Sequence, residues 1–105
     1  MRIATQNRDG LTLCRVSFES HLDLSESLDC LRQLRTMDLN LVQGLEFDLV
    51  STPSIESAGL GLLMSVRDRW GCRVNTPVIR CVRGPVHEIL SICRMQRYFD
   101  IELLY

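Results

Sequence analysis

Strand-like and helix-like segments alternate along this chain of 105 residues, and this alternation restricts its fold more than any other feature. Hydrophobic periodicity predicts the order β-β-α-β-α-β-α, with a last short strand in YFDIELLY. Strands that alternate with helices form parallel pairs joined by right-handed crossovers. A chain of this length is typical of one domain. We therefore predict a single α/β domain, residues 1–105, with one mixed sheet and helices packed against it.

The first half of the chain predicts a hairpin and a helix. Strands at 2–6 and 11–18 flank Asp9-Gly10, two residues that tolerate the positive φ of a tight turn. The helix lies in HLDLSESLDCLRQLRTM, where Asp23 and Glu26 have the spacing of a capping box. Its predicted buried stripe consists of leucines at helical spacing: Leu24, Leu28, Leu31 and Leu34.

The second half predicts two helices between buried strands. A strand at 45–50 places Leu45, Phe47 and Leu49 on one face, and a strand at 78–82 follows later. The helix between them is predicted from Ser57 to Trp70, ending at Gly71, with an inward side formed by Leu62, Leu63, Val66 and Trp70. Pro85 begins the third helix, whose predicted inward residues are Val86, Ile89, Leu90 and Cys93.

Composition narrows the function classes. No apolar run approaches the ~20 residues of a membrane span, and MRIATQNRDG has no apolar signal region, so we expect a cytoplasmic protein. The five cysteines include no C-x-x-C pair, which favours buried thiols over a disulfide framework or a zinc site. The slightly acidic chain with few aromatic residues is unlike a nucleic-acid binder.

Charge is distributed unevenly along the chain, which is acidic before residue 57 and basic from 57 to 98. This asymmetry is consistent with a protein-docking surface or with ordinary solvated faces. The chain contains no lysine, so lysine-based covalent chemistry and a P-loop are excluded. No cofactor is predicted.

Ser57 is the first candidate for function. It could accept a backbone N–H as a helix cap, or receive a phosphate, which a helix N-terminus tolerates. SIESAG differs from the G-x-S-x-G motif of hydrolases, and the spacing couples neither His21 nor His87 to Ser57.

Asp48 is the second candidate, because a carboxylate at the end of a strand either lies near a site or orients the following loop. A metal site formed by Asp48, Glu56 and Asp23 lacks a supporting ligand spacing.

The segment LEFDLVSTPSIESAGLGLLMSVRDRWG resembles the core of the STAS domain, the family of bacterial anti-sigma factor antagonists. In that family a strand ends in an Asp, here Asp48, and an Asp-Ser-Ser-Gly-Leu-like motif begins a helix, here Glu56 to Leu60. LDLSESLDCLRQL is similar to the family's first helix, and GPVHEILSICRMQRYFDI to its third helix and closing strand. The resemblance implies a small mixed sheet of four to five strands, with three main helices largely on one side.

The resemblance also implies a function, which is partner switching without catalysis by the domain itself. Family members bind an anti-sigma factor, usually a serine kinase of the histidine-kinase-like ATPase type, and release its target. The kinase phosphorylates the motif serine, here Ser57, which breaks the complex, and a PP2C-type phosphatase restores it. The corresponding partner-binding residues are Asp48, Glu56, Ser57, Ala58, Gly59, Leu60, Gly61 and Met64. The alternative is a STAS accessory subunit that docks on the ATPase of a lipid-transport ABC complex.

Three residues depart from the family pattern. Glu56 replaces the usual Asp, and Ala58 replaces the second Ser, so the sequence does not identify a particular kinase. Arg94 lies where the family often has a Gly, which leaves the shape of that turn open.

Overall fold

The computed structural model describes residues 1–70 and 76–104, and within these ranges the elements follow the predicted order. The strands are β1 (Arg2–Arg8), β2 (Leu11–Ser17), β3 (Gly44–Asp48), β4 (Val78–Cys81) and β5 (Asp100–Leu103). The helices are α1 (Leu24–Leu34), α2 (Ser57–Trp70) and α3 (Pro85–Ile92). Single 3₁₀ turns span Leu39–Leu41 and Met95–Arg97. The predicted helix end at Gly71 lies outside the described residues.

The strands form one mixed sheet in the order β1-β2-β3-β4-β5. β1 and β2 are antiparallel, whereas β2, β3, β4 and β5 are parallel neighbours. Asp9 and Gly10 join the hairpin with φ values of 54° and 80°, which confirms the predicted turn. Because the parallel strands end at the same edge, the connections that enter α1, α2 and α3 all leave from that edge.

One face of the sheet carries the apolar core. Its buried residues alternate along the strands and lie under the helices: Cys14, Val16, Leu45, Phe47, Ile79 and Cys81. The Phe47 ring meets the ring of Phe99 edge to face, with centroids 6.1 Å apart. All four residues predicted for the inward side of α2 are buried. The predicted α/β fold, with helices packed on one face of a mixed sheet, is therefore confirmed.

The opposite face of the sheet is charged. Arg15 and Arg80 approach Glu46 from two neighbouring strands, at 2.8 Å and 3.4 Å. Arg80 also lies 3.8 Å from a Glu102 oxygen and 3.9 Å from an Asp48 oxygen. Partly exposed ion pairs of this kind contribute about 0–1 kcal/mol each to the free energy of unfolding. Their main effect is therefore to keep this face of the sheet polar.

The predicted leucine stripe of α1 is confirmed for Leu34 and in part for Leu31, which packs against the core, but it is wrong for Leu24 and Leu28. Leu24 and Leu28 are 58% and 42% exposed, whereas Ser27, Cys30 and Leu34 form the buried stripe. The preceding Leu22 is fully buried, and its backbone bonds to Ser54 and Glu56, which sets the rotation of the helix that follows. Ser27 donates its hydroxyl proton to the Asp23 carbonyl, which satisfies this buried hydroxyl within the helix. The small side chains of Ser27 and Cys30 then let the helix approach the core closely.

The predicted capping box of α1 forms only by half. The Asp23 carboxylate accepts the backbone N–H of Glu26 at 2.9 Å, as expected of an N-cap. The Glu26 carboxylate does not accept the Asp23 N–H, which would complete the box, and instead pairs with the Met1 amino group at 3.2 Å.

Two of the four inward residues predicted for α3 are exposed. Val86 and Leu90 are buried as predicted, but Ile89 is 36% exposed and Cys93 is exposed. The helix ends at Ile92, so Cys93 is a cap residue and no longer follows the helical period. Arg94 comes next with φ 55° and ψ 40°, the left-handed conformation, and directs the chain away from the helix axis.

Candidate functional site

Ser57 is the first residue of α2, and its side chain is exposed. The Glu56 carbonyl accepts the N–H groups of Gly59 and Leu60 at 2.9 Å and 3.1 Å. Glu56 therefore holds the capping position, one residue earlier than predicted, and the Ser57 hydroxyl is not used as a cap. Within the described residues no hydrogen bond engages that hydroxyl, so it is available to a modifying partner.

Backbone hydrogen bonds hold the start of α2 against the start of α1. The Leu22 N–H donates to the Ser54 carbonyl at 2.9 Å, and the Glu56 N–H donates to the Leu22 carbonyl at 3.0 Å. These two bonds make a parallel bridge between Leu22 and Ile55, which we call the α1–α2 clamp. The clamp fixes the backbone of Ser54 and Glu56, on either side of Ile55 and immediately before Ser57.

A side-chain contact reinforces the clamp. The Nδ1 atom of His21 lies 2.6 Å from the Ser54 Oγ atom. The two residues are 33 positions apart, and neither lies in a helix or strand. Sequence reasoning missed this pair, because no periodicity or motif spacing links two loop residues across one bridge.

The two glycines of α2 serve opposite purposes. A Cβ atom on Gly59 would lie 2.8 Å from Leu22 Cγ and 2.9 Å from the Leu22 carbonyl oxygen. Gly59 is thus required by tight packing against the clamp. A Cβ on Gly61 would meet nothing within 4 Å, so Gly61 leaves bare backbone at the surface. Internal packing therefore accounts for Gly59, whereas Gly61 leaves an accessible backbone.

The predicted partner-binding residues of α2 fall into three groups. Glu56, Ser57 and Gly61 are exposed, whereas Gly59 is buried. A half-buried group lines the flanks of the exposed strip: Ala58, Leu60 and Met64. Apart from Glu56, the exposed residues of this strip are small, so the helix backbone is accessible at the surface.

Asp48 ends β3 and turns toward the charged face of the sheet. One carboxylate oxygen accepts the Val50 N–H at 3.0 Å, which orients the first residues of the loop toward α2. A cavity of about 280 Å³ lies beside it, lined in part by Arg2, Arg15 and Ser51. The Asp48 carboxylate contacts Val50 and Arg80, and in the described part of the chain no hydrogen bond or ion pair joins it to Ser57.

Three of the four thiols in the described residues are buried, as the sequence predicts. Cys14, Cys30 and Cys81 are free and buried, and burial raises the pKa of each, that of Cys30 to about 12. These thiols remain protonated and unreactive in the folded protein. Cys93 is exposed, which contradicts the expectation for that residue, and Cys72 lies outside the described residues.

Residues 1–70 and 76–104 contain no group of three or more His, Cys, Asp or Glu side chains arranged to hold a metal ion. No helix within those ranges has the length and apolar character required to cross a membrane.

No family model and no curated protein sequence matches this chain. Its structure is similar to the crystal structure of a candidate anti-sigma factor antagonist from Thermotoga maritima, with a TM-score of 0.69. The two chains share 15% sequence identity, and the similarity covers 95% of this chain and 85% of the other. At that identity the comparison establishes the fold, and the fold implied by the resemblance to the STAS domain is confirmed.

Proposed function

We propose that this protein is an anti-sigma factor antagonist that acts by partner switching in the bacterial cytoplasm. In its unphosphorylated form it binds an anti-sigma factor, a serine kinase of the histidine-kinase-like ATPase type, and releases the target of that kinase. The observation that carries the proposal is the hydroxyl of Ser57, which is exposed on the first residue of α2 and does not act as the helix cap. The domain itself catalyses no reaction in this scheme and needs no cofactor, because the kinase supplies the nucleotide.

Phosphorylation at Ser57 suits a switch that leaves the fold intact. A phosphate adds about −1.5 to −2 charges, and the first turn of a helix stabilises negative charge. The same phosphate lies next to the exposed Glu56 carboxylate and beside bare backbone at Gly61. A partner packed on this strip would have to desolvate both charges, which is unfavourable. We propose that the complex separates for this reason and that a PP2C-type phosphatase resets it.

The proposed partner surface is the exposed strip of α2 with its half-buried flanks. Glu56, Ser57 and Gly61 make direct contact in this proposal, and Ala58, Leu60 and Met64 border it. Gly59 contributes through its packing on Leu22, because it is buried. Asp48 contributes by holding the start of the loop, and any contact it makes with the partner would come from the charged face of the sheet.

Ser57→Asp tests the proposal in binding measurements with a serine kinase of the stated type. Measured by isothermal titration calorimetry, the affinity should fall at least about tenfold, equivalent to ~1.4 kcal/mol. Ser91→Asp introduces the same charge at another exposed serine, on α3, and should leave the affinity unchanged. Circular dichroism should show the same fold for both variants.

Unchanged affinity for Ser57→Asp would count against the switch. Co-purification with a transporter ATPase, whatever the charge at position 57, would support the accessory-subunit alternative. Phosphopeptide mass spectrometry of the protein from growing and stressed cells supplies the second test. Occupancy of Ser57 should change with the growth condition.

A further inference from the structure

The loop before α2 holds a second serine whose surroundings differ from those of Ser57. The Ser54 Oγ atom lies 2.6 Å from His21 Nδ1, a hydrogen bond slightly shorter than is usual between nitrogen and oxygen. His21 is exposed and Ser54 is half-buried, so small molecules can reach the pair. Nucleophile and base at this separation are the basic unit of covalent catalysis by serine.

The backbone fixes both members of the pair. The Ser54 carbonyl accepts the Leu22 N–H at 2.9 Å, and the His21 carbonyl accepts the Asp23 N–H at 3.1 Å. The α1–α2 clamp and this turn therefore fix the backbone positions from which the imidazole and the hydroxyl meet. Preorganisation of this kind is what lowers the barrier to a proton transfer.

We propose that Ser54 is a second modification site, at which His21 acts as general base for acyl transfer from activated carbonyl compounds such as aryl esters or acyl phosphates. This inference concerns a different serine and stands independently of the proposed partner switch. It requires the His21 tautomer with the proton on Nε2, so that Nδ1 accepts the proton of the Ser54 hydroxyl.

The covalent step is balanced within the pair and the acyl donor. Ser54 Oγ attacks the carbonyl carbon and its proton passes to His21 Nδ1, while the bond from that carbon to the leaving oxygen breaks. The leaving group departs with the electron pair, as a phenolate or phosphate. The imidazolium then gives its proton to that anion or to water. One acyl ester remains on Ser54, so the protein is a stoichiometric acceptor.

The other hydroxyls of the same loop provide a contrast. Thr52 is buried and donates its hydroxyl proton to the Phe18 carbonyl at 2.6 Å, so it is unavailable. Ser51 and Ser57 are exposed, and in the described parts of the chain neither has a histidine within hydrogen-bond distance. Modification at Ser54 would also remove the hydroxyl proton and with it the hydrogen bond to His21. The modified residue is itself part of the α1–α2 clamp, through its backbone bond to Leu22.

Incubation of the full chain with 4-nitrophenyl acetate, followed by peptide mass spectrometry, tests the proposal. The chain has no lysine to compete for the acetyl group, and a Cys93→Ala background removes the thiol that is exposed in residues 1–70 and 76–104. Ser54 should be acetylated about 100-fold faster than Ser51, the range expected of general-base assistance. His21→Gln should reduce the Ser54 rate to that of Ser51, whereas the matched substitution His87→Gln should not change it.

Equal rates at Ser54 and Ser51 would overturn the proposal, because they would mean that His21 Nδ1 donates to the hydroxyl instead of accepting from it. A Ser54 rate that survives His21→Gln, in a variant with an unchanged circular dichroism spectrum, would overturn it as well. Ser57→Ala separates the two proposals, since it removes the switch residue and should leave acetylation of Ser54 intact.

Discussion

Gly59 and Gly61 are two residues apart in α2, yet alanine should have opposite effects at the two positions. Gly59→Ala places a Cβ within 3 Å of the Leu22 carbonyl oxygen, which is backbone and belongs to the clamp. Overpacking of this kind costs about 1–3 kcal/mol. Gly61→Ala meets open space and should raise the free energy of unfolding by up to about 1 kcal/mol. Urea denaturation followed by circular dichroism measures both changes.

Equal effects of the two alanines on stability would mean that Gly59 is not packed against Leu22. The proposed function adds a second readout, since Gly61→Ala covers bare backbone on the partner surface. That variant should be more stable and bind the kinase more weakly.

Arg94 adopts a conformation that ordinary residues avoid. Its φ of 55° and ψ of 40° are left-handed, which costs a residue with a Cβ about 1–2 kcal/mol. Arg94→Gly should therefore raise the free energy of unfolding by about 1 kcal/mol. Arg97→Gly is the matched control, because Arg97 does not have positive φ and glycine there only adds freedom to the unfolded chain. Thermal or urea denaturation of the two variants should give changes of opposite sign.

The turn at Arg94 also answers a question that the sequence left open. The residue type differs from the glycine common in the STAS family, but the backbone conformation is one that glycine adopts readily. The connection from α3 to β5 thus contains a left-handed residue that glycine would adopt at a lower cost in stability than Arg94.

Helix α1 shows where sequence periodicity is sufficient and where it is not. The helix and its Asp23 cap were predictable, because both are determined within a few residues. The buried side was not predictable, because four leucines at helical spacing outweigh Ser27 and Cys30 on any hydrophobicity scale. The clamp at Leu22 and the packing of α1 beside α2 set the rotation, and these are long-range contacts. Helix α2 was predicted well because its apolar residues and its tertiary contacts fall on the same side.

Truncation of two α1 leucines distinguishes the observed rotation from the predicted one. Leu34→Ala removes a fully buried side chain and should cost about 2–5 kcal/mol. Leu28→Ala affects a side chain that is 42% exposed and should cost less than about 1 kcal/mol. Comparable losses of unfolding free energy in chemical denaturation would support the leucine stripe and contradict the observed packing.

The candidate site was predictable only where it is determined by residues close together in the sequence. Residues 45–63 are contiguous, so the strand end at Asp48 and the start of α2 at Ser57 could be read from local pattern. The contact of His21 with Ser54 could not, since it depends on how the loop before α1 is placed beside the loop before α2.

The charge asymmetry along the sequence is partly cancelled in the folded molecule. Glu46 and Asp48 come from the acidic first half, and Arg80 comes from the basic segment, yet parallel pairing of β3 with β4 brings them together. The uncovered face of the sheet therefore presents paired charges of both signs. The sequence asymmetry by itself overstates the charge available for docking, which favours the small-residue strip of α2 as the proposed partner surface.

Stability at alkaline pH is a property of the whole core. Burial raises the pKa of Cys30 from 9.0 to about 12, and it raises the pKa of Cys14 and Cys81 in the same direction. Below pH 9 these thiols are protonated in both states. Between about pH 9 and about pH 12 the unfolded chain releases protons that the folded chain retains, so stability is lost as pH rises. Each such thiol lowers the unfolding free energy by up to about 1.4 kcal/mol per pH unit.

The chain contains no lysine, so no lysine ammonium group titrates in the same range as these thiols. Urea denaturation at a series of pH values above 9 should show a steep loss of stability in the parent protein. Cys30→Ala should flatten that loss, even if it lowers stability at neutral pH by leaving a small cavity. Cys93→Ala, at an exposed position, should leave the slope unchanged. The same slope in Cys30→Ala and the parent would mean that the Cys30 thiol is accessible to hydroxide in the folded state.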